Sequence, residues 1–304
     1  MRIVELETMG FRGLADGSWR LQGDRQVTLV TGPPSVGLTT FLEAITSTPA
    51  LLAIGGHPPT SEDGVRAEGS AATIRTTWSL DEDERAFAGV TEEMTSAEVT
   101  FQRGALANAE ADPGLMALMS RYDHRSTTAK VVSIPAQRLV GGLSLFSDFE
   151  FEQRQKHLSP APDKFAGLAA ALTRQAMGAE PARFGEVQRL FSELTGSVKL
   201  ADVLPTGELA FQLTSGARVA LGGLSLSEQN ALVLAAVPVL LGLQNSVVLL
   251  DTPEIGLAPG AAVRCVDALR AWAPEAQWII ATRDAALVKH VQAAARIELT
   301  SRFV

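Results

Sequence analysis

The run Val247–Leu250 places four apolar residues in a row and then stops on a carboxylate, Asp251, followed by Thr252, Pro253 and Glu254. A strand that is apolar at every position, not at alternate ones, is buried on both faces, as in a parallel sheet covered by helices. Its neighbours keep that architecture. A helix is predicted over Ser227–Leu241, then this strand, a helix over Gly260–Trp272, a strand over Trp278–Ala281, a helix over Ala285–Ala295 and a strand over Arg296–Leu299. Strand and helix in alternation give a mainly parallel sheet. Upstream, Val27–Thr31 is another apolar strand, and Thr39–Thr46 reads as the helix after it. Between them Gly32, Gly37, Thr39 and Thr40 fall at the spacing of GxxxxGK[ST], in which backbone amides cradle phosphate. Leu38 stands where that pattern has lysine.

Composition removes several function classes. With 46% hydrophobic and 20% charged residues in 304, the balance is globular and the chain is long enough for a large core. A formal charge of −8 opposes a self-sufficient nucleic-acid binder, because phosphate contacts come mainly from Lys and Arg. Nucleic acid is expected only indirectly or through a local patch. Cys265 is the only cysteine and the four histidines are scattered, so neither a disulfide nor zinc-ligand spacing is present. The opening MRIVELETMGF lacks the basic start and apolar stretch of a signal peptide. The longest apolar stretch, Ala231–Leu243, contains Pro238 and falls short of the ~20 residues that span a bilayer. A soluble cytoplasmic protein with no membrane partner is expected.

Elsewhere the pattern predicts antiparallel N-terminal edge strands at Arg2–Glu7 and Ser18–Leu21, a turn at Gly23-Asp24, and a loop from Pro49 to Gly69. Strands follow at Thr73–Leu80 and Glu98–Gln102, with the acidic run Asp81–Glu84 between them as a solvated turn. A short helix is predicted at Leu115–Tyr122 and a strand at Lys130–Pro135, with Gln137 and Arg138 just beyond it. Residues 141–200 read as a helical insertion, its best helices at Phe165–Met177 and Ala182–Leu194; 1–140 and 201–304 flank it. Glu208–Leu213 and Arg218–Leu221 form a hairpin across Ser215-Gly216. Cys265 and Met177 read as core residues.

Three further segments make the pattern specific. Leu224–Glu228, LSLSE, resembles the LSxGE signature of ABC-type ATPases; WIIATR at Trp278–Arg283 sits where that superfamily has a strand ending in Thr-His; and Phe11-Arg12 matches an N-terminal strand motif. Together they resemble the head of the SMC/RecF/OLD-like branch of ABC-type ATPases, an AAA family ATPase group, over nearly the whole chain. The resemblance implies a P-loop NTPase of the α/β class, with a mainly parallel central sheet, antiparallel N-terminal edge strands and a helical insertion. It implies ATP and Mg²⁺ as ligands, cradled by Gly32, Gly37, Thr39 and Thr40. Thr39, Asp251 and Gln137 would then serve Mg²⁺, and Arg12 would lie near ribose or phosphates. Ser225 would reach the γ-phosphate bound by a second head.

The departures bear on the chemistry. Leu38 brings no cation to the β- and γ-phosphates. Thr252 stands where the superfamily has the glutamate that polarises water, and a threonine hydroxyl is no base at neutral pH. Glu254 follows two positions on and is a candidate base only in an active enzyme. Arg283 replaces the switch histidine, Ser227 the signature glycine, and Ala258 a residue commonly Asp or His. Arg283 is either solvated or returns positive charge to the phosphates. Plainer roles also fit: Asp251 as a strand-end cap, Ser225 as a helix N-cap, Gln137 and Arg138 as surface residues. The sequence therefore points first to a degenerate head, a pseudo-ATPase with ATP and Mg²⁺ bound weakly or not at all. It would act as a homodimer or beside a related ATPase or effector protein. The alternatives are an active ATPase in DNA maintenance or phage defence, and a composite site in which Ser225 serves a competent partner.

Overall fold

The computed structural model describes residues 1–21, 27–52, 59–119, 131–141, 149–257, 260–291 and 296–300. Its central sheet has the order β13 (Arg296–Glu298), β3 (Val27–Thr31), β12 (Gln277–Ala281), β11 (Val247–Asp251) and β7 (Val131–Ile134), with every neighbouring pair parallel. The apolar strands are buried on both sides as their composition requires. Val248 and Leu250 of β11 face one apolar cluster, whereas Val247 and Leu249 face another.

The second cluster contains α1 (Leu38–Leu52), which lies between the parallel sheet and a separate antiparallel sheet. That sheet runs β2 (Gly17–Arg20), β1 (Arg2–Met9), β4 (Ala71–Ser79), β5 (Met94–Gln102) and β6 (Asn108–Ala111). Phe41 and Ile45, four residues apart on α1, are fully buried there. Short helices α2 (Ser61–Gly64), α3 (Glu82–Ala88) and α4 (Pro113–Met119) lie in its connections. The first cluster holds α8 (Leu226–Leu240), buried from Asn230 to Leu240, with α5 (Phe149–Lys156), α6 (Leu168–Ala176), α7 (Pro181–Thr195) and α9 (Ala261–Trp272). A small antiparallel sheet, β8 (Val198–Val203), β9 (Leu209–Leu213) and β10 (Arg218–Val219), shares this core, and α10 (Ala285–His290) adds Leu287. The helices of segment 149–195 therefore pack into the same core as the parallel sheet; α7 touches both α8 and α9.

Several expectations change. The antiparallel N-terminal strands build their own sheet and do not edge the parallel one. The run Asp81–Glu84 is the start of α3, not a solvated turn: Glu84 N–H donates to Asp81 Oδ1 at 2.8 Å, Asp81 N–H donates back to Glu84 at 3.1 Å, and Glu84 is buried against the Met1 nitrogen. Met177 caps α6 and is 76% exposed, whereas Cys265 is fully buried and its thiol is pushed up to about 12. The predicted loop from Pro49 contains the end of α1 and all of α2. Strands β6 and β8 had no periodic signal strong enough to announce them, and β10 stops at Val219 before a 3₁₀ turn. Gly23-Asp24, residues 120–122, Lys130 and Ala258 lie outside the described residues. No described helix is long and apolar enough to cross a membrane.

The outer edge of β7 is closed at Ser133 by the segment from His157 to Lys164. Lys164, fully buried in a 3₁₀ turn (Pro162–Phe165), donates to the carbonyls of Ser133 and His157, and Ser133 N–H donates to His157 O at 2.9 Å. Burial holds the Lys164 pKa well below its ordinary value.

Candidate functional site

Three connections meet at the C-terminal ends of β3, β11 and β12. The loop from β3 to α1 exposes Pro33, Pro34 and Ser35 and turns through positive φ at Ser35 (64°) and Gly37 (101°). Gly32 is fixed by packing: a Cβ there would lie 2.5 Å from Leu299 O, at the end of β13, and 2.7 Å from Val36 Cγ1. The glycine spacing is thus required by local geometry, and it delivers the first turn of α1 with its amides free of intrahelical partners. Leu38 is 2% exposed and belongs to the apolar cluster under the antiparallel sheet. Its position is filled by core packing.

Asp251 ends β11 and is 5% exposed. Its Oδ2 accepts from the exposed Thr39 hydroxyl at 2.8 Å, while its Oδ1 is buried without a partner among the described residues. Burial raises the pKa of this carboxyl, and the Thr39 hydrogen bond opposes that rise. A hydroxyl beside a half-satisfied carboxylate fits Mg²⁺, which takes one or two protein oxygens and leaves its other positions to phosphate and water. Thr39 and Asp251 are the residues that would hold it. Arg12 and Glu43 line the same cavity of about 130 Å³, together with Ser133 and Pro135. Arg12 is ion-paired with Glu43, whose pKa is raised by burial while the guanidinium opposes the rise.

The turn after Asp251 is held from inside. Thr252 has a positive φ of 42°, strained for a β-branched residue. Arg138 fixes this turn: Nη1 donates to Pro135 O at 3.2 Å and Asp251 O at 3.1 Å, and Nη2 to Thr252 O at 3.2 Å, Pro253 O at 3.4 Å and Ile255 O at 3.1 Å. Arg138 is 2% exposed, so it is not the surface residue considered above. Glu254 points the other way, its Oε2 accepting from Thr282 Oγ1 at 2.9 Å and its Oε1 from Arg283 N–H at 2.8 Å.

A strand–loop–helix with glycine spacing, a strand-end carboxylate one hydrogen bond from the loop threonine, and a helix-capping LSLSE turn now stand in one fold. Solved structures of similar fold align with nearly all of the chain. The "SMC head domain from Thermotoga maritima" aligns with 98% of this chain and 94% of its own at TM-score 0.57 and 15% identity. An SMC head bound to the C-terminal winged-helix domain of ScpA aligns at TM-score 0.62 and 15% identity, over 95% of this chain and 92% of that one. A head with an extended coiled coil, bound to the C-terminal domain of ScpA derived from Pyrococcus furiosus, aligns at 0.60 and 15%, over 95% and 91%. The chain folds like an SMC head. At these identities the likeness establishes the fold alone, an α/β architecture with a parallel central sheet like that of SMC heads. The sequence matches no protein-family model and no curated protein.

Within the SMC-head fold the predicted site residues separate into groups. Gly32, Gly37, Thr39 and Thr40 form the loop and helix start, and Thr39, Asp251 and Arg12 line one cavity. Gln137 is exposed beyond β7 and has no hydrogen bond among the described residues. Arg283 is exposed as well. Ser225 is the N-cap of α8: its hydroxyl accepts from Glu228 N–H at 3.3 Å and donates to Glu228 Oε2 at 2.8 Å, which also accepts from Ser225 N–H at 2.7 Å. The cap and the exposed position coexist, and beside Ser225 are Leu226, 59% exposed, and, across Gly256, Ile255, 49% exposed. Glu43 and Arg138 were missed as functional residues. Glu43 lies one helical turn after Thr39, which was a usable signal; the carbonyls that receive Arg138 lie up to 117 residues away in sequence and gave none.

Proposed function

We propose that this chain is a degenerate ABC-type head, a pseudo-ATPase that acts by associating with a second head or an effector protein. The observation that carries this function is the composition of the nucleotide site. The cradle and the Thr39–Asp251 pair are kept, while the lysine position holds a buried leucine and the water-polarising position holds a threonine. Both oxygens of the nearest alternative base, Glu254, accept hydrogen bonds from Thr282 and Arg283, and Arg283 is exposed, which weighs against an active enzyme using either. ATP and Mg²⁺ bind weakly or not at all. The purified chain is expected to hydrolyse ATP at background rate, since each lost transition-state group typically costs ~10²–10³-fold. A turnover near ~1 s⁻¹, ordinary for an enzyme, that vanishes in Asp251→Ala would sink the proposal.

Association is supported by the surface that persists. Ser225, Leu226 and Ile255 are exposed together beside the Asp251 turn, and two of the SMC heads of like fold were solved with a bound protein, ScpA. The SMC/RecF/OLD-like subgroup belongs to the same proposal. A specific pairing buries at least ~1,000 Å² in total. Ser225→Arg puts a bulky cation there and is expected to abolish pairing in size-exclusion and pull-down experiments while the circular dichroism spectrum stays unchanged. A wild-type monomer that captures no ATPase or effector would leave only a structural remnant.

A further inference from the structure

Arg12 sits where it can supply the charge that Leu38 does not. Its backbone has a positive φ of 45°, and the turn is pinned: Arg12 N–H donates to Gly64 O at 3.1 Å, and Arg66 Nε donates to Arg12 O at 3.3 Å. Two residues on, Leu14 packs over the phosphate loop, its Cδ1 3.6 Å from where a Cβ on Gly37 would lie. The guanidinium thereby reaches the cavity that Thr39 and Asp251 also line. Its Nε donates to Asp63 O at 2.9 Å and Nη1 is paired with Glu43, whereas Nη2 has no hydrogen bond among the described residues. Asp251, on the same cavity wall, disfavours the charge on Glu43. One guanidinium therefore stands between an internal carboxylate and the cavity at the start of α1 that Thr39 and Asp251 line.

We propose that Glu43 is a latch: it holds Arg12 in the nucleotide-free head, and a nucleotide binds its phosphates only by taking Arg12 from Glu43. The inference rests on the assignment of residues 32–40 as a phosphate cradle. Carboxylate and phosphate oxygens both accept the planar guanidinium fork, so the two anions compete for one partner. Displacement leaves Glu43 half-buried beside Asp251 with its charge unpaired, which opposes binding. Nucleotide affinity is then set by this exchange as well as by the loop.

The test is calorimetric titration of the full chain with Mg–ATP and, separately, with inorganic tripolyphosphate. Glu43→Gln keeps the side-chain shape and frees Arg12; it is expected to bind both probes about tenfold more tightly than the wild type, within the usual range of coupling between sites. Arg12→Ala is expected to bind at least about tenfold more weakly, and the double variant as weakly as Arg12→Ala alone, because a latch has no effect without what it holds. Should Glu43→Gln fail to fold, Glu43→Ala gives the same comparison. Affinity in folded Glu43→Gln that equals or falls below the wild type overturns the latch, as does unchanged affinity in Arg12→Ala. Binding by none of the variants also overturns it and leaves the pseudo-ATPase function standing; hydrolysis by the wild type overturns that function and leaves the order of affinities to judge the latch.

Discussion

Replacing Arg138 with alanine is expected to lower the unfolding free energy by about 3–5 kcal/mol, as removal of one partner from a buried charged network does. Five carbonyls, from Pro135, Asp251, Thr252, Pro253 and Ile255, lose a donor at once. Each carbonyl left dry costs part of its own desolvation, and the guanidinium leaves a void behind it. The positive φ of Thr252 persists only while its surroundings enforce it, so the turn relaxes and Asp251 with it. Arg138→Lys should recover a minor part, because one ammonium has three donors in place of a planar fork. Urea denaturation measures both variants. A loss below about 1 kcal/mol for the alanine variant would mean that the turn is held by the chain around it and not by Arg138.

Leu38→Lys is expected to act in opposite directions depending on ligand. Without nucleotide the ammonium enters an apolar cluster where the leucine is 2% exposed, next to the positive end of the α1 dipole. That combination should cost on the order of 3 kcal/mol, since buried lysines are neutralised by several pKa units. With Mg–ATP the same ammonium can pair with the β- and γ-phosphates, and ligand binding to the folded state alone restores stability. The thermal midpoint should fall in buffer and rise back towards wild type with millimolar Mg–ATP. A midpoint lowered equally in both conditions would mean that the loop no longer admits phosphate; no loss in either would mean that Leu38 is not part of the core.

The parallel half of the fold was legible because it is written in continuous apolar strands. Val27–Thr31, Val247–Leu250 and Trp278–Ala281 cannot be surface segments; α9 between the last two carries apolar periodicity, and α8 before them is apolar almost all round. What was not legible depends on partners far apart in sequence. The five-stranded antiparallel layer is set by long-range pairing, so β1 and β2 were misplaced as an edge, β4 and β5 were seen singly, and β6 was missed. Asp81 and Glu84 read as a solvated charge run because a capping box differs from one only when a helix follows, and the seven residues of α3 are too few to show periodicity. At the site, residue identities marked the glycine-bearing loop and the leucine where the pattern has lysine. The use of Arg138 as an internal donor was hidden, because backbone carbonyls leave no mark on a sequence.

Lys164 has a consequence for how this molecule meets others. A parallel sheet normally ends in a row of open amides and carbonyls that another extended chain can join. At β7 the Ser133 carbonyl is occupied by the Lys164 Nζ and its amide by the His157 carbonyl, so a docking strand would first have to expel a buried side chain. Growth of the sheet at Ser133 is blocked by the segment from His157 to Lys164, which uses one backbone carbonyl and one side chain in place of a paired strand. Recognition on this flank must then read side chains and loop shape and not extend the backbone ladder, which keeps neighbouring copies in a crowded solution from zipping together along it.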